Sequence, residues 1–502
     1  MTAIVKTDSP KGTRKLKSTI GITAVAMAVS LAASTAIAGD PWQTQQAHPE
    51  QSSPSKIKTR FVSTAIDEHF GDRGVVLLTD GPYHVSVANA LTQRGDKLLF
   101  GWSGKRNEHG TSGFVQLNED GKFDLSFGDH GWITLPTFDG YRHYYVSFHA
   151  QTIQTDGKLL ISGDEIIPDP IFSYRYQPFH ARLLDNGEFD SSYGSYGWVK
   201  PETNTNRSHI QSGILLDADQ WLTIVQYTVV DQQETLISNR IKLERRLSDG
   251  TLADELIIAN LPARARSTGP IVKDTQGRLF FAFNSVNDRH GYTAELFRLN
   301  ADGSHDSSFG NTHAEYPDLV VEELLASQDG SLILAGYTYP ASKPALAKIF
   351  PDGSVDVTFG TQGLVTLPAS GRFIDVVQLD NGKLLALGYQ FTVDGSEERY
   401  TWLVRVDGTG KYDHNFGIDG RLLIAEEAET YSRMMVQNEQ HVIVPIRCNG
   451  LDTCLVRVKD VMEHQENDSP DSSGGSIGYF ASLLILAVWV RRQHFHPKSH
   501  NN

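Results

Sequence analysis

The chain has 502 residues, 39% hydrophobic and 21% charged, with 44 glycines, a balance that excludes a disordered chain and leans toward turn-rich β structure. Its formal charge is −15, and the first 38 residues, with Lys6, Lys11, Arg14, Lys15 and Lys17 against Asp8, are basic, so the rest is more acidic still. Such a body repels phosphate backbones, and no basic stripe with interleaved aromatics offsets this, so nucleic acid is not an expected partner.

Met1 to Ala38 has the anatomy of a secretory signal: a basic opening, an apolar run from Ile20 through Ala38, and Ala36-Ile37-Ala38 as a small-x-small site. Cleavage by signal peptidase is expected between Ala38 and Gly39, with a retained membrane anchor as the alternative. Residues 39–60 read as a linker.

From residue 61 to residue 460 one phrase recurs, Asp-x-x-Phe-Gly-x-x-Gly followed by alternating apolar residues. It runs from Asp67 to Gly74, Asp124 to Gly131, Asp190 to Gly197 with Tyr193 for Phe, Asp306 to Gly310, Asp356 to Gly363 and Asp413 to Gly420. Asp254-Glu-Leu-Ile-Ile is a worn copy. The markers Phe70, Phe127, Tyr193, Leu256, Phe309, Phe359 and Phe416 stand 57, 66, 63, 53, 50 and 57 residues apart, which means seven units. A second phrase follows in each unit, as in DGKLLISG (Asp156 to Gly163), DGSLILAG and NGKLLALG (Asn381 to Gly388). A third, such as HARLLDNG or LFRLNADG, ends in an acidic-Gly turn.

Each unit thus offers about four short alternating stretches, and no stretch shows a sustained helical period. The expected fold is all-β, a seven-bladed β-propeller of four-stranded antiparallel blades, because units of this length exceed a solenoid coil and ring closure removes exposed sheet edges. In the phrase itself the glycines permit positive φ at a sharp bend. The aromatic is expected to fill the wedge between adjacent blades, and the Asp to accept hydrogen bonds from its own turn. The phrase, quoted as Asp352 to Gly360, resembles the delta-60 repeat, a family of roughly 55-residue units implied to form β-propellers; the resemblance carries no known catalytic residues. Unit three loses Phe-Gly, and unit seven has Asn438-Glu439-Gln440 where others have Asp-Gly.

The only cysteines, Cys448 and Cys454, read as a disulfide of an exported chain, the alternative being two buried thiols. Residues 461–475 are polar and read as a disordered linker. In 476–502, an apolar run from Ile477 to Val490 is followed by Arg491-Arg492; as a helix it would span about 21 Å, a marginal transmembrane segment. This order resembles the GlyGly-CTERM sorting signal, which implies cutting near Gly474-Gly475 by a rhomboid-type sortase and delivery to the cell surface of a Gram-negative bacterium. The alternative is a permanent C-terminal anchor.

No motif calls for a cofactor or a metal: the 18 histidines form no His-Glu-x-x-His. The acidic turns around Asn118, Asp120 and Asp124 or Asn300, Asp302 and Asp306 lack calcium-loop spacing and read as hairpin turns. Unit two carries an insertion, Ile166 to Phe179, with Phe172, Tyr174, Arg175 and Tyr176 as a candidate ligand patch, since aromatics with arginine suit sugars or a protein partner. The expected function is therefore an exported, surface-attached binding or envelope scaffold with a protein or glycan ligand. The alternative is a secreted hydrolase or lyase acting on an extracellular polymer, which carboxylates and histidines converging on one mouth of the ring would favour.

Overall fold

The computed structural model describes residues 59–461 apart from short internal stretches, chiefly 62–64, 79–82, 136–144, 170–172, 202–207, 231–235, 262–265, 287–290, 310–313 and 392–398. The secretory signal expected in residues 1–38, its cleavage site at Ala38 and Gly39, the sorting site at Gly474 and Gly475 and the segment 476–502 lie outside the described residues. Among the described residues no helix is long and apolar enough to cross a membrane.

Seven antiparallel sheets follow one another along the chain, each built on the same four-stranded plan. Blades 1 to 6 occupy residues 84–134, 145–199, 208–261, 266–317, 319–366 and 371–426, and blade 7 takes 435–458 together with the early strand Val75–Leu77. That early strand pairs with Asp452–Val458, Val75 opposite Val456, so the two ends of the propeller are woven into one sheet. Two sheets carry a fifth strand. In blade 4 the inner strand is broken into Arg266–Ser267 and Val272–Lys273, and in blade 6 Arg60–Phe61 adds to the outer edge.

The recurring phrase does not open a blade; it closes one. Asp124 to Gly131 joins the third strand of blade 1, His109–Leu117, to its short outer strand Trp132–Thr134. The sequence repeat is therefore offset by one strand from the structural blade, and this offset is what leaves Val75–Leu77 free to complete blade 7.

The core is divided into seven clusters, one at each blade junction. The marker aromatics fill these wedges as the sequence suggests: Phe127 lies between blades 1 and 2, Phe309 between 4 and 5, Phe359 between 5 and 6, and Phe70 between 7 and 1. Leu256 is the exception and corrects the equivalence drawn for it. Without Phe-Gly the outer strand of blade 3 runs unbroken from Leu252 to Leu261, and Leu256 stands 40% exposed, while Phe281, Phe283 and Phe297 occupy the junction with blade 4. Units three and seven nonetheless form complete blades.

The second phrase has its own backbone reason. The inner strands of blades 2, 3, 5 and 6 each carry a β-bulge, at His149, Gln211, Glu322 and Ile374. The bulge presses a carbonyl onto the neighbouring strand in three of these blades. A Cβ on Gly163, Gly336 or Gly388 would sit 2.1, 1.9 or 2.3 Å from Ser147, Val320 or Arg372 oxygen, so only glycine ends the phrase there.

Candidate functional site

Strand direction sorts the molecule into two faces. On one lie the Asp-Gly hairpins and the Asp-x-x-Phe-Gly bends; on the other lie the starts of the inner strands and the hairpins between second and third strands, including the one closed by the Cys448–Cys454 disulfide.

The first face is occupied with holding itself together. Asp120 and Asp302 accept from the amides of Lys122 and Ser304 in their own turns, and Asp124 and Asp306 accept from Ser126 and Ser308. On four third strands an arginine completes a repeated latch. Arg298 Nε donates to Asp306 Oδ2 at 2.8 Å, its guanidinium lies 4.7 Å from the Phe309 ring, and Nη1 donates to Pro351 oxygen of the next blade at 2.6 Å. Arg182, Arg405 and Arg457 repeat this with Asp190, Asp413 and Asp67. The Ser308 hydroxyl and the Arg298 guanidinium hold Asp306 at about 2, against the effect of burial. These arginines recur in the third phrase of the sequence, where their role is not apparent until strands are placed side by side.

The second face differs from blade to blade. The junction of blades 2 and 3 has the smallest apolar cluster, Ala150, Leu160, Tyr193 and Trp221. Polar groups fill the rest. Trp221 Nε1 donates to Ser162 Oγ at 2.7 Å, Ser162 Oγ lies 2.7 Å from His180 Nδ1, and His180 Nε2 is 4.0 Å from Glu244 Oε2. Ser, His and Glu in this order suggest a nucleophilic triad, yet Ser162 and His180 are fully buried and Glu244 is 2% exposed, so no substrate reaches the serine. Burial pushes the His180 pKa down to about 3, so the ring is neutral.

At the open edge of the same junction stands a second group. Asp164, fully buried on the second strand of blade 2, accepts from the Ile210 amide of blade 3 through Oδ1 at 3.1 Å. Its Oδ2 meets His149 Nε2 at 3.1 Å and His209 Nδ1 at 3.4 Å, in ion-pair rather than aligned hydrogen-bond geometry. Burial would raise the Asp164 pKa, but the two imidazoles overcome it and hold the carboxyl below its ordinary value. Both rings are about one-third exposed, and Tyr176 packs on His209 with ring centroids 3.8 Å apart. Among the described residues no group of three His, Cys, Asp or Glu side chains is arranged to hold a metal ion.

Across the ring, blades 4 to 7 carry an arc of aromatic rings interleaved with guanidinium groups. Tyr292 meets Tyr339 at 5.0 Å; Arg372 lies 4.8 Å from the Tyr337 ring and 5.7 Å from that of Tyr389; Tyr389 meets Tyr431 at 6.0 Å. Arg447 lies 5.1 Å from the Tyr431 ring, and Arg399 donates to the Tyr431 hydroxyl at 2.8 Å. Tyr431 is 52% exposed. Beneath the arc, Arg433 pairs with Glu323, and Asp375 accepts from the amides of Met434 and Val376 at 2.7 and 2.8 Å. Burial pushes Glu323 up to about 8, only partly offset by Arg433, and Asp375 up to about 6. Both carboxyls are about 95% buried and committed to these partners, so they tie blades 5, 6 and 7 together rather than face a ligand.

Of the patch read from sequence, Phe172 lies outside the described residues and Tyr174 is placed in the strand Ser173–Leu183 opposite Pro168. Arg175 is exposed, and Tyr176 is the member brought to a cluster, against His209. The arc and the Asp164 group were not legible in the sequence. Their residues come from different blades with no fixed spacing, and the single available signal is the aromatic and basic character of loops such as Tyr431 to Arg433.

A family model described as a domain of unknown function (DUF5122) beta-propeller matches residues 327–359, from the Asp-Gly hairpin of blade 5 to its marker Phe359. No curated protein matches the chain. Among solved structures, it is similar to a protein of unknown function from Dyadobacter fermentans at 10% identity, covering 62% of this chain and 95% of that one, with a TM-score of 0.38. It is also similar to the extracellular domains 1-2 of Drosophila Semaphorin 1a at 10% identity, with coverages of 75% and 86% and a TM-score of 0.39. Similarity to the polysaccharide lyase Uly1 is at 10% identity, with coverages of 81% and 95% and a TM-score of 0.41. The seven sheets and the family match agree on the architecture: the chain is a β-propeller repeat protein.

Proposed function

We propose that the chain is an exported propeller, attached at the cell surface, that acts as a binding scaffold for an extracellular acidic glycan taken on the arc of blades 4 to 7. The observation that carries this reading is the half-exposed Tyr431 ring set between two cations, Arg447 at 5.1 Å from its centroid and Arg399 donating to its hydroxyl, with the buried Tyr389 and the Arg372–Glu322 pair behind it. Aromatic faces pack on the C–H faces of sugars, and a guanidinium held flat on a ring still offers its edge to a carboxylate in bidentate fashion. Spread over several blades, such an arc suits an elongated chain better than a compact molecule.

Export rests on the Met1 to Ala38 signal and the disulfide, and surface attachment on the Gly474-Gly475 sorting signal with its membrane-directed segment, processed by signal peptidase and a rhomboid-type sortase. The measurement is binding of the full chain to an array of neutral and acidic glycans, with Arg399→Ala, Tyr431→Ala and Arg447→Ala compared with a Phe172/Tyr174/Tyr176 triple alanine variant. The arc variants are expected to weaken binding to acidic glycans at least about tenfold, equivalent to ~1.4 kcal/mol, while the triple variant binds. Loss in the triple variant alone would move the ligand to blade 2.

A further inference from the structure

From the convergence of His149 and His209 on the buried Asp164, we infer that the junction of blades 2 and 3 is an acid–base site that cleaves a uronate-containing glycan by β-elimination. The inference rests on the acidic-glycan reading for its substrate class and on separate residues for its chemistry.

The Ser162, His180 and Glu244 constellation is sealed, and the carboxyls of Glu323 and Asp375 are bound to their own framework, so neither of these groups offers a serine nucleophile or an open carboxylate pair for glycoside hydrolysis. What does face the open edge is a pair of imidazoles, each about one-third exposed, turned inward at one nitrogen toward the same carboxylate oxygen. This orientation directs His149 Nδ1 and His209 Nε2 away from Asp164. One carboxylate anchors both rings by a single nitrogen each, which leaves the second nitrogen of each ring for a substrate and sets two groups able to act as acid and base side by side. Tyr176, packed on His209, fixes that ring's plane. The backbone is arranged to the same end: His149 is the bulged residue of its inner strand, and Ile210, next to His209, is pinned by its amide to Asp164 Oδ1.

The step balances without an added reagent. The neutral imidazole takes the proton from the carbon beside the sugar's carboxyl group, and that C–H electron pair becomes a carbon–carbon double bond. The C–O bond to the neighbouring sugar breaks with its electron pair on oxygen, which takes the proton of the other imidazole. The two rings end with their protonation states exchanged, and solvent restores either one. Asp164 touches no reacting atom and is a positioning residue.

The experiment incubates the full chain with alginate, polygalacturonate, chondroitin sulfate and hyaluronan, and follows the ultraviolet absorbance of the unsaturated uronate beside the release of reducing ends. At least one polymer is expected to yield both in equal amounts. His149→Ala and His209→Ala are expected to slow the reaction at least about a hundredfold while glycan binding at the arc stays near wild type, and each lowers the melting temperature because it strands the buried Asp164; His149→Gln and His209→Gln, which keep a donor for Asp164, should be as slow with a melting temperature near wild type. Asp164→Asn should change the shape of the pH–rate profile more than the KM. A glycan bound at the arc but left uncut would overturn the elimination and spare the binding reading, and a glycan neither bound nor cut would overturn both. Reducing ends without unsaturation, or cutting indifferent to both histidines, would also overturn it.

Discussion

Arg457, on the last strand of the propeller, reaches across 390 residues to Asp67, its Nε donating to Asp67 Oδ2 at 2.8 Å. The same guanidinium lies 4.8 Å from the Phe70 ring and donates to Glu119 oxygen in blade 1 at 2.6 Å, so one side chain joins the bend before Val75–Leu77, the last strand and the next blade. Both partners are about nine-tenths buried. Removing one member of such a pair strands the other, which costs ~3–5 kcal/mol. Arg457→Ala is therefore expected to lower the stability of the ring by about that amount in urea denaturation. The same position in blade 3 is Arg245, whose pair with Asp254 is largely exposed, and Arg245→Ala should cost under ~1 kcal/mol. Equal losses for the two variants would remove the distinction between a closing latch and a surface pair.

Glycine is needed at Gly360 for two reasons that can be separated. Its φ is +57°, its amide donates to Thr409 oxygen of blade 6 at 2.8 Å, and a Cβ would lie 2.3 Å from Leu364 oxygen. Gly382 also has positive φ, +80°, but has nothing within 4 Å of the position of a Cβ. Gly382→Ala is expected to cost ~1–2 kcal/mol from the left-handed backbone alone. Gly360→Ala should cost ~3 kcal/mol or more, because a backbone clash is added to the strain. Thermal unfolding of both variants checks this, and similar midpoints would show that the approach of Leu364 oxygen contributes nothing.

What the sequence makes legible is the set of demands common to every blade. Phe127 and Phe359 recur because each wedge needs a filler, and Gly163, Gly336 and Gly388 recur because in those three blades the inner strand brings a carbonyl too close for a side chain. Leu256 shows the limit: it holds the place of a marker in sequence but sits 40% exposed, since an unbroken outer strand turns it away from the junction. The bulged position itself is unconstrained, and it holds His149, Gln211, Glu322 and Ile374 in turn. Residues that face the mouth of the ring therefore carry no period. Asp164 and His209 meet only because consecutive blades set their strands side by side.

The disulfide closes a short loop, with Cys448 and Cys454 six residues apart and both fully buried. Chain entropy assigns so short a loop ~2 kcal/mol. The Cys448→Ala/Cys454→Ala variant is expected to lose about that much stability while its far-ultraviolet circular dichroism is unchanged, because blade 7 remains paired with Val75–Leu77 through the backbone. Loss of the folded signal altogether would mean that the bridge is a condition of ring closure.

The neutral, buried His180 gives the protein a pH response whose sign is fixed by its surroundings. In the unfolded chain a histidine titrates near ~6.5, whereas burial holds His180 at about 3 in the fold. Between those values the unfolded state binds a proton that the folded state refuses, so stability falls as pH drops, and it is unaffected above the unfolded value. By pH ~5 the loss from this group amounts to ~2 kcal/mol. His441, also lowered by burial, adds in the same direction, while Glu323, raised to about 8, and Asp375, raised to about 6, take up protons in the fold first and oppose it over part of the window. Asp190, held at about 2, acts only in stronger acid. His180→Asn offers an acceptor near the position of Nδ1 to the Ser162 hydroxyl and cannot take up the proton. Its stability should therefore fall more gently than that of the wild type from pH ~6.5 to ~4, and parallel curves in chemical denaturation would show that the imidazole carries no pH dependence.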